Sequence, residues 1–225
     1  MDQNYAYADE NWVEVEQMPF TIDKDSKDKK IKFLDYRDRR QLWNFRFTFF
    51  GVKSDLSDYA LSTTQLASSL KSDGTGFEAA VSLSYNIGVL SAGLDLGLLN
   101  SKYKGDVSLL QPKGSIHVIA DNLFKNPYFV PYFKIGASQM SFTNPNTSDI
   151  AKINSDISIF YAFGGMIALD WFQKTLAMDA YFNYGLDATF LVIEFENFSG
   201  IPASNVDGLP DIKQSNTKIG LQLVF

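Results

Sequence analysis

The chain has 225 residues, a formal net charge of −6 and no cysteine. The acidic balance disfavours a nucleic-acid partner, which needs a basic surface to neutralise phosphates. The lack of cysteine excludes disulfides, thiol catalysis and cysteine zinc sites, and a single histidine excludes sites that need a histidine pair. We therefore expect no metal and no cofactor. No run of about 18 apolar residues is present, which excludes a transmembrane helix.

Residues 1–40 differ in composition from the rest of the chain. Two runs of mixed charge make this segment too hydrophilic to be buried or to enter lipid. We predict two regions, an N-terminal extension over 1–40 and a folded domain over 41–225. The extension is either a flexible tail or a segment whose aromatic residues, Trp12 and Phe20, bind the folded domain or a neighbouring subunit.

After residue 40, apolar and polar residues alternate in eight segments, as they do in β-strands. In the first segment, four aromatic residues alternate with Asn44, Arg46 and Thr48. The second segment alternates for longer than a typical globular strand and is long enough to cross a bilayer at a tilt. The predicted strands are 41–53, 76–87, 90–98, 114–120, 128–141, 156–169, 176–187 and 218–225.

The connections between these segments alternate in length. Those after the second, fourth and sixth segments are short, and the four others are long and polar. The long connections are predicted over 54–75, 100–113, 142–155 and 192–215. Short turns at one end and long loops at the other are typical of outer-membrane barrels. The fold class predicted is all-β, an eight-stranded antiparallel up-and-down transmembrane β-barrel with a charged N-terminal extension.

The composition of the two strand faces indicates which side of the barrel meets lipid. The polar faces are mostly Ser, Gly, Ala and Asn, which suit a crowded interior better than a water-facing surface. The other faces carry Leu, Ile and Phe in mid-strand, as a lipid-facing band does. Aromatic residues near strand ends are consistent with girdles at the membrane interfaces: Trp43, Phe77, Tyr85, Trp171 and Phe172.

The last eight residues resemble the C-terminal insertion signal of bacterial outer-membrane β-barrels. The matching positions are a polar Lys218, Gly220, an apolar Leu223 and the aromatic Phe225. With the strand number and loop plan, the chain resembles the transmembrane domain of outer-membrane protein A and its eight-stranded relatives. The resemblance implies a bacterial outer-membrane location with both termini in the periplasm. It also implies contact with membrane lipid and lipopolysaccharide, and recognition by the barrel assembly machinery.

Charged side chains on the polar faces are predicted to meet in the lumen. They are Arg46, Glu78, Asp95, His117, Lys134, Asp179, Asp187 and Lys218. An eight-stranded barrel is only wide enough for side chains to fill, and buried charges must pair to offset their desolvation. We therefore predict a closed, ion-paired plug. The functional alternative is a path for protons or ions along these charges.

A catalytic triad would have to use His117, with Ser115 on the same face and Asp95 on the preceding strand. Outer-membrane phospholipases and acyltransferases carry such triads on their barrels. However, a lumenal histidine bonded to a carboxylate needs no catalytic role, because buried polar groups require partners in any case. We expect no enzymatic activity.

Three functions stay open on the sequence. The first is a structural or packing protein of the outer membrane, self-associating through small outward residues such as Ala79 and Ala92 or through the N-terminal segment. The second is a porin-like channel for small solutes. The third is a barrel that binds a ligand or lipid, which the inward-facing Phe160 and Met166 favour.

Overall fold

The structure is a computed structural model, and within the residues it describes it contains twelve β-strands and one α-helix. The described residues are 20–22, 31–33, 41–57, 73–103, 107–121, 123, 128–143, 152–170, 172, 174–199 and 213–225. The strands are β1 (Phe20–Ile22), β2 (Ile31–Phe33), β3 (Trp43–Ser57), β4 (Gly74–Ile87), β5 (Leu90–Lys102), β6 (Ser108–Ile119), β7 (Phe129–Ser138), β8 (Ser141–Thr143), β9 (Lys152–Asn154), β10 (Ser158–Ala168), β11 (Ala188–Phe198) and β12 (Lys213–Val224). The helix is α1 (Lys174–Tyr184).

Eight of the strands close into an antiparallel barrel. Each pairs with the next barrel strand along the chain, in the order β3, β4, β5, β6, β7, β10, β11, β12, and β12 pairs with β3 to close the ring. Beyond the last pair of the ladder, Phe45 and Phe225 exchange two backbone hydrogen bonds of 2.9 and 2.8 Å. The predicted eight-stranded up-and-down barrel is confirmed. We call the end where β3 begins and β12 ends the terminal end, and the opposite end the loop end.

Four short strands lie outside the ring. At the loop end, β8 pairs with β6, and β9 pairs with β8. The other two, β1 and β2, form a separate two-stranded sheet in which Phe20 lies opposite Phe33. Trp12 lies outside the described residues, so its role as an anchor and the division into 1–40 and 41–225 stay predictions.

The predicted seventh strand, 176–187, is wrong. This stretch forms α1, and the seventh barrel strand is β11, which the prediction placed mostly in a loop. Lys, Leu, Ala and Met favour a helix, and Thr175, Asp179 and Asn183 repeat at the four-residue helical spacing. Gly185 ends the helix at a φ of 66°, and its N–H donates a 2.9 Å hydrogen bond to Tyr181 O, which is an αL cap.

The predicted alternation of connection lengths also fails. The connection after the sixth barrel strand is long, because residues 169–187 include α1. The connection after the third is short, since β5 continues to Lys102 and β6 begins at Ser108. The fourth strand had been predicted to begin only at Gly114, so the prediction omitted the inward-facing residues at its beginning.

The barrel is polar inside and apolar outside, the reverse of a water-soluble barrel. On the outer wall, Leu94, Leu96 and Ile116 are 62%, 66% and 57% exposed. Inside, Arg46 and Lys218 are each 1% exposed. In the seven predicted strands that form, the faces predicted to point outward do so, because the alternation of side chains fixes every face of a strand once one face is buried.

An apolar cluster fills the interior beside the charged residues. It includes Phe50, Ile119, Val130, Met166, Phe190 and Val192. Phe160 is buried nearby at 2% exposure, against Phe198 with ring centroids 5.4 Å apart. The inward-facing Phe160 and Met166 of β10 are therefore core-filling residues, and they do not line an open apolar pocket.

Candidate functional site

The interior ion pairs converge on Lys218. Its ammonium nitrogen lies 2.6 Å from Glu194 Oε1, 2.7 Å from Glu196 Oε2 and 3.0 Å from Glu78 Oε2. Glu194 and Glu196 are neighbours on β11, whereas Glu78 comes from β4, beyond β3. Since the period of a strand is two residues, both acids of β11 project to the same side as Lys218.

Lys113 ties this group across the lumen. It lies on β6, which pairs with neither β4 nor β11, and its Nζ is 2.9 Å from Glu78 Oε2 and 2.6 Å from Glu196 Oε1. The side chains of four different strands therefore meet near the barrel axis. We call Glu78, Lys113, Glu194, Glu196 and Lys218 the central cluster.

A second group joins the central cluster through Glu194. Lys134 Nζ lies 3.1 Å from Glu194 Oε2 and 3.3 Å from Asp95 Oδ2, and Tyr132 donates a hydrogen bond of 2.9 Å to the same Glu194 oxygen. Asp95 Oδ1 lies 3.0 Å from His117 Nδ1. Each of these charges has an opposite charge or a hydrogen-bond donor beside it, which is the arrangement that offsets desolvation.

The two ends of the lumen have separate polar contacts. Toward the terminal end, Arg46 Nη2 lies 3.0 Å from Asp121 Oδ2, which also accepts a 2.7 Å hydrogen bond from Ser91. At the loop end, Tyr103 donates a 2.8 Å hydrogen bond to Ser54 Oγ, as does Gln214 at 2.9 Å. Burial raises the pKa of Tyr103 to about 12, so this phenol stays a donor at neutral pH.

The structure brings together five of the eight residues predicted for the lumen. These are Glu78, Asp95, His117, Lys134 and Lys218. Arg46 pairs separately, with Asp121. Asp187 is buried directly before β11, where its backbone N–H donates a 2.7 Å hydrogen bond to Val224 O. The prediction for Asp179 is wrong, because this residue lies exposed on α1.

Sequence reasoning missed four charged residues of the interior. They are Lys113, Asp121, Glu194 and Glu196. Three of them had a detectable signal: Lys113 lies two and four residues before Ser115 and His117 and so shares their strand face, and Glu194 and Glu196 alternate with apolar residues at the strand period. Asp121 had no such signal, since it lies in a turn.

The geometry at His117 does not match a catalytic triad. Ser115 donates its 3.3 Å hydrogen bond to Asp95 Oδ2, and Asp95 is also the neighbour of His117 Nδ1. The other ring nitrogen, Nε2, packs against Gly93, where an added Cβ would lie 2.8 Å from it. The imidazole is 1% exposed, so this nitrogen has no room for a substrate.

Two small voids lie in the described interior. One void beside His117 and another beside the central cluster each measure about 10 Å³. Such a volume holds about one water molecule. Within the described ranges, no group of three or more acidic or histidine side chains is arranged to hold a metal ion, and no helix has the length and apolarity to cross a membrane.

The four residues of the terminal motif have distinct positions. Lys218 belongs to the central cluster, and Leu223 points outward. Gly220 lies so close to β3 that a Cβ there would overlap the carbonyl oxygen of Phe49. The ring of Phe225 contacts Phe47 edge-on, with centroids 6.0 Å apart. The motif thus coincides with the strand that closes the barrel.

No protein-family model and no curated protein matches the chain. Solved structures similar to it include three proteins, each at 12% identity. Neisserial surface protein A covers 82% of this chain and 98% of its own at a TM-score of 0.47. Ail, the attachment invasion locus protein of Yersinia pestis, covers 81% of this chain and 97% of its own at a TM-score of 0.44. The N-terminal β-barrel domain of Pseudomonas aeruginosa OprF covers 80% of this chain and 97% of its own at a TM-score of 0.40.

At TM-scores below 0.5, these likenesses do not bear on what the chain does. The predicted resemblance to small bacterial outer-membrane barrels is confirmed at the level of the fold, because the chain itself forms the closed eight-stranded barrel.

Proposed function

We propose that the chain is an integral β-barrel protein of the bacterial outer membrane with a structural, packing role. The observation that carries the proposal is the reversed polarity of the barrel. An uninterrupted apolar outer wall in water would be far larger than the patches that monomeric soluble proteins expose. Around a bilayer the same wall is an ordinary lipid-facing band. We expect no enzymatic activity.

The blocked lumen supports a structural role over a porin-like channel. The central cluster spans the barrel from β6 to β12, and the described voids beside it hold about one water each. A proton or ion path would need a continuous file of water or of exchangeable groups. The ion pairs of the central cluster favour a plug.

The outer wall offers a site for lipid chains or for a second copy. An apolar groove of about 760 Å³ lies over β3 to β7 and β10, with Gly114 and Ala137 in its floor and Leu96, Ile116 and Ile159 along it. Small residues flanked by larger ones make a concave surface that suits an acyl chain. The same surface suits self-association, as do the half-exposed Ala79 and Ala92.

The remaining partners and the orientation are part of the proposal. Recognition by the barrel assembly machinery is supported by the position of Gly220 and Phe225 on the closing strand. Contact with lipopolysaccharide would involve the loop end, and the termini would then lie in the periplasm. This orientation places the long connection that contains α1 on the periplasmic side.

One pair of substitutions separates a membrane barrel from a water-soluble one. Leu96 lies in mid-strand on the outer wall, and Leu123 is comparably exposed, at 51%, beyond the terminal end of β6. In lipid, Leu96→Arg should destabilise the barrel by about 2–4 kcal/mol and Leu123→Arg by about 0–1 kcal/mol. The measurement is reversible urea unfolding in phospholipid vesicles. Equal, negligible costs for both variants would contradict the membrane assignment.

Self-association is tested by native mass spectrometry of the protein extracted from membranes in mild detergent, with its retained lipids counted. A defined oligomer is the expected result if the groove and the small outward residues pack against a second copy. A monomer that retains acyl lipids would instead support the lipid-binding reading of the groove. A monomer without lipid would leave packing between copies without support.

A further inference from the structure

Helix α1 has an apolar surface that the barrel does not cover. Three of its polar side chains, Thr175, Asp179 and Asn183, form a stripe that spans about 80° of the helix at 3.6 residues per turn, and Lys174, the first residue of the helix, lies outside this stripe. Between Thr175 and Tyr184, the rest of the surface is Leu, Ala, Met, Phe and Tyr. A helix that is apolar on most sides is normally buried. No residue of α1 is buried.

The exposed side chains of α1 lie on several sides of the helix. Leu176 is 55% exposed, Phe182 53% and Tyr184 78%, and they project on both flanks of the polar stripe and beyond. A flat protein surface could cover only one of these sides. A medium that surrounds the helix everywhere except along the stripe fits the pattern better.

The position of α1 places it beside the end of the lipid-facing wall. Past the β10–β11 ladder, Leu169 N donates a 2.9 Å hydrogen bond to Thr189 O, and Asp170 Oδ1 accepts a 3.1 Å hydrogen bond from Thr189 N. The helix is therefore held close to the barrel rim at both of its ends. Exposed aromatic residues line the same rim: Trp43, Tyr85, Tyr128 and Phe129.

An exposed aromatic residue lies between the rim and the helix along the chain. Phe172, 68% exposed, lies between the end of β10 and the start of α1. Trp171, the other residue predicted for a girdle here, lies outside the described residues. Aromatic side chains with one polar group favour the boundary between lipid headgroups and acyl chains, and Tyr181 and Tyr184 of α1 belong to this class.

We propose that α1 lies in the headgroup–acyl boundary of the bilayer leaflet at the terminal end, as an interfacial anchor beside the barrel. The proposal rests on the proposed membrane location of the barrel. The polar stripe faces water, and Leu176, Phe182 and Tyr184 enter the lipid. Lys174 and Asp179 are the charged residues of α1 and cancel, so the attraction is to the apolar boundary and needs no anionic lipid.

The test uses single-cysteine variants, which the cysteine-free chain allows directly. Leu176→Cys, Phe182→Cys and Tyr184→Cys report the apolar flanks, and Asp179→Cys is the matched control on the stripe of the same helix. Leu96→Cys reports insertion of the barrel itself. Each variant of the full chain is labelled with an environment-sensitive fluorophore and reconstituted in phosphatidylcholine vesicles, in which part of the lipid carries a nitroxide near the headgroup.

The expected result is that labels at 176, 182 and 184 lose most of their fluorescence to the lipid nitroxide and little to aqueous iodide. The label at 179 should show the opposite order. Adding phosphatidylglycerol should leave both patterns unchanged. Because these four positions are unburied in α1, the variants should fold, and gel mobility of unheated samples checks this.

Two other outcomes would overturn the inference. If the label at 96 is quenched by a nitroxide deep in the acyl region while all helix labels respond to iodide alone, α1 is in water and the membrane barrel stands. If the label at 96 also responds to iodide alone, the proposed function itself fails. Cysteine cross-linking between copies at 182, without lipid quenching, would show that a second copy covers the helix.

Discussion

At the scale of single residues, Lys218 is the cation on which the ion pairs of the interior converge. Its ammonium is 1% exposed and lies within 3.0 Å of three carboxylates. Desolvating one such ion costs several kcal/mol, and only close, well-directed partners offset the cost. The same residue is the polar position of the terminal motif. Strand β12 therefore both closes the barrel by pairing with β3 and supplies the lysine on which the ion pairs converge.

Replacing Lys218 by Met should destabilise the barrel strongly. The substitution leaves Glu78, Glu194 and Glu196 near one another with only Lys113 and Lys134 between them, and breaking a buried pair typically costs about 3–5 kcal/mol. Lys53→Met is the control, since Lys53 pairs with Asp73 at the surface and should show no resolvable change. Urea unfolding in vesicles measures both. Equal midpoints for the two variants would contradict the buried network.

A pair of glycines on neighbouring strands tests the close approach of β12 and β3. Gly220→Ala should destabilise the barrel by about 1–3 kcal/mol, because the new Cβ overlaps Phe49 O and the backbones must separate. Gly51→Ala is the matched control, with its Cβ 3.7 Å from Ile219 O in ordinary contact. The fraction that refolds into vesicles is the readout. If Gly51→Ala proves the more damaging of the two, the closing geometry is wrong.

At the scale of elements, α1 and β11 show where periodicity misleads. Leu176, Met178, Ala180, Phe182 and Tyr184 alternate as a strand would, yet helix-forming residues and the four-residue spacing of the polar stripe prevailed. Strand β11 was overlooked because Phe190 and Val192 face inward and make the strand apolar on both sides at its beginning. Alternation identifies a strand only where one face is consistently polar.

Because no residue of α1 is buried within the protein, the barrel should not need the helix. Replacing residues 171–186 by a short Gly-Asn linker should leave the midpoint of urea unfolding in vesicles unchanged. The reason is that a backbone hydrogen bond from Leu169 to Thr189 already joins the two strands on either side of the helix. Replacing 90–93 of β5 by the same linker is the control and should prevent closure, because those residues pair on both sides. A large loss of stability in the helix variant would show that α1 contributes to the barrel.

At the scale of the whole molecule, the barrel is a filled cylinder. Ion pairs cross its centre, an apolar cluster packs beside them, and the described voids hold about one water each. An eight-stranded barrel has an interior just wide enough for side chains to fill, and in this chain part of that width holds charges that pair with one another. The molecule is therefore apolar on its outer wall and charged in its core.

The filled lumen predicts that the protein does not form a stable pore. In planar phospholipid bilayers, the purified full chain should give no reproducible single-channel steps, since a conducting path would require several ion pairs to separate together. Insertion is verified by the heat-dependent gel mobility of the same sample. Stable current steps of one size would contradict the plug. If these steps are abolished when Lys113 is replaced by Met, conduction depends on the contact between Lys113 and Glu196 across the lumen.

The sequence by itself determined the properties that depend on local alternation. Trp43, Phe45, Arg46 and Thr48 already show which face of β3 is polar, and Lys218 to Phe225 show the strand that closes the barrel. Because side chains of a strand alternate strictly, inside and outside follow once the faces are read. The same logic correctly predicted the faces of the other strands that it detected, and a crowded lumen of paired charges follows from the strand count.

Only the tertiary structure decided which charges meet and which segment is the seventh strand. Lys113 reaches Glu78 and Glu196 across the lumen, a contact between strands that are not neighbours in the sheet. Asp179, which was predicted to face the lumen, lies instead on α1, because its segment is helical. Partners of this kind depend on the register and curvature of a closed ring, which are set by all eight strands together. The sequence around a charged residue does not indicate which side chains it will meet across the barrel.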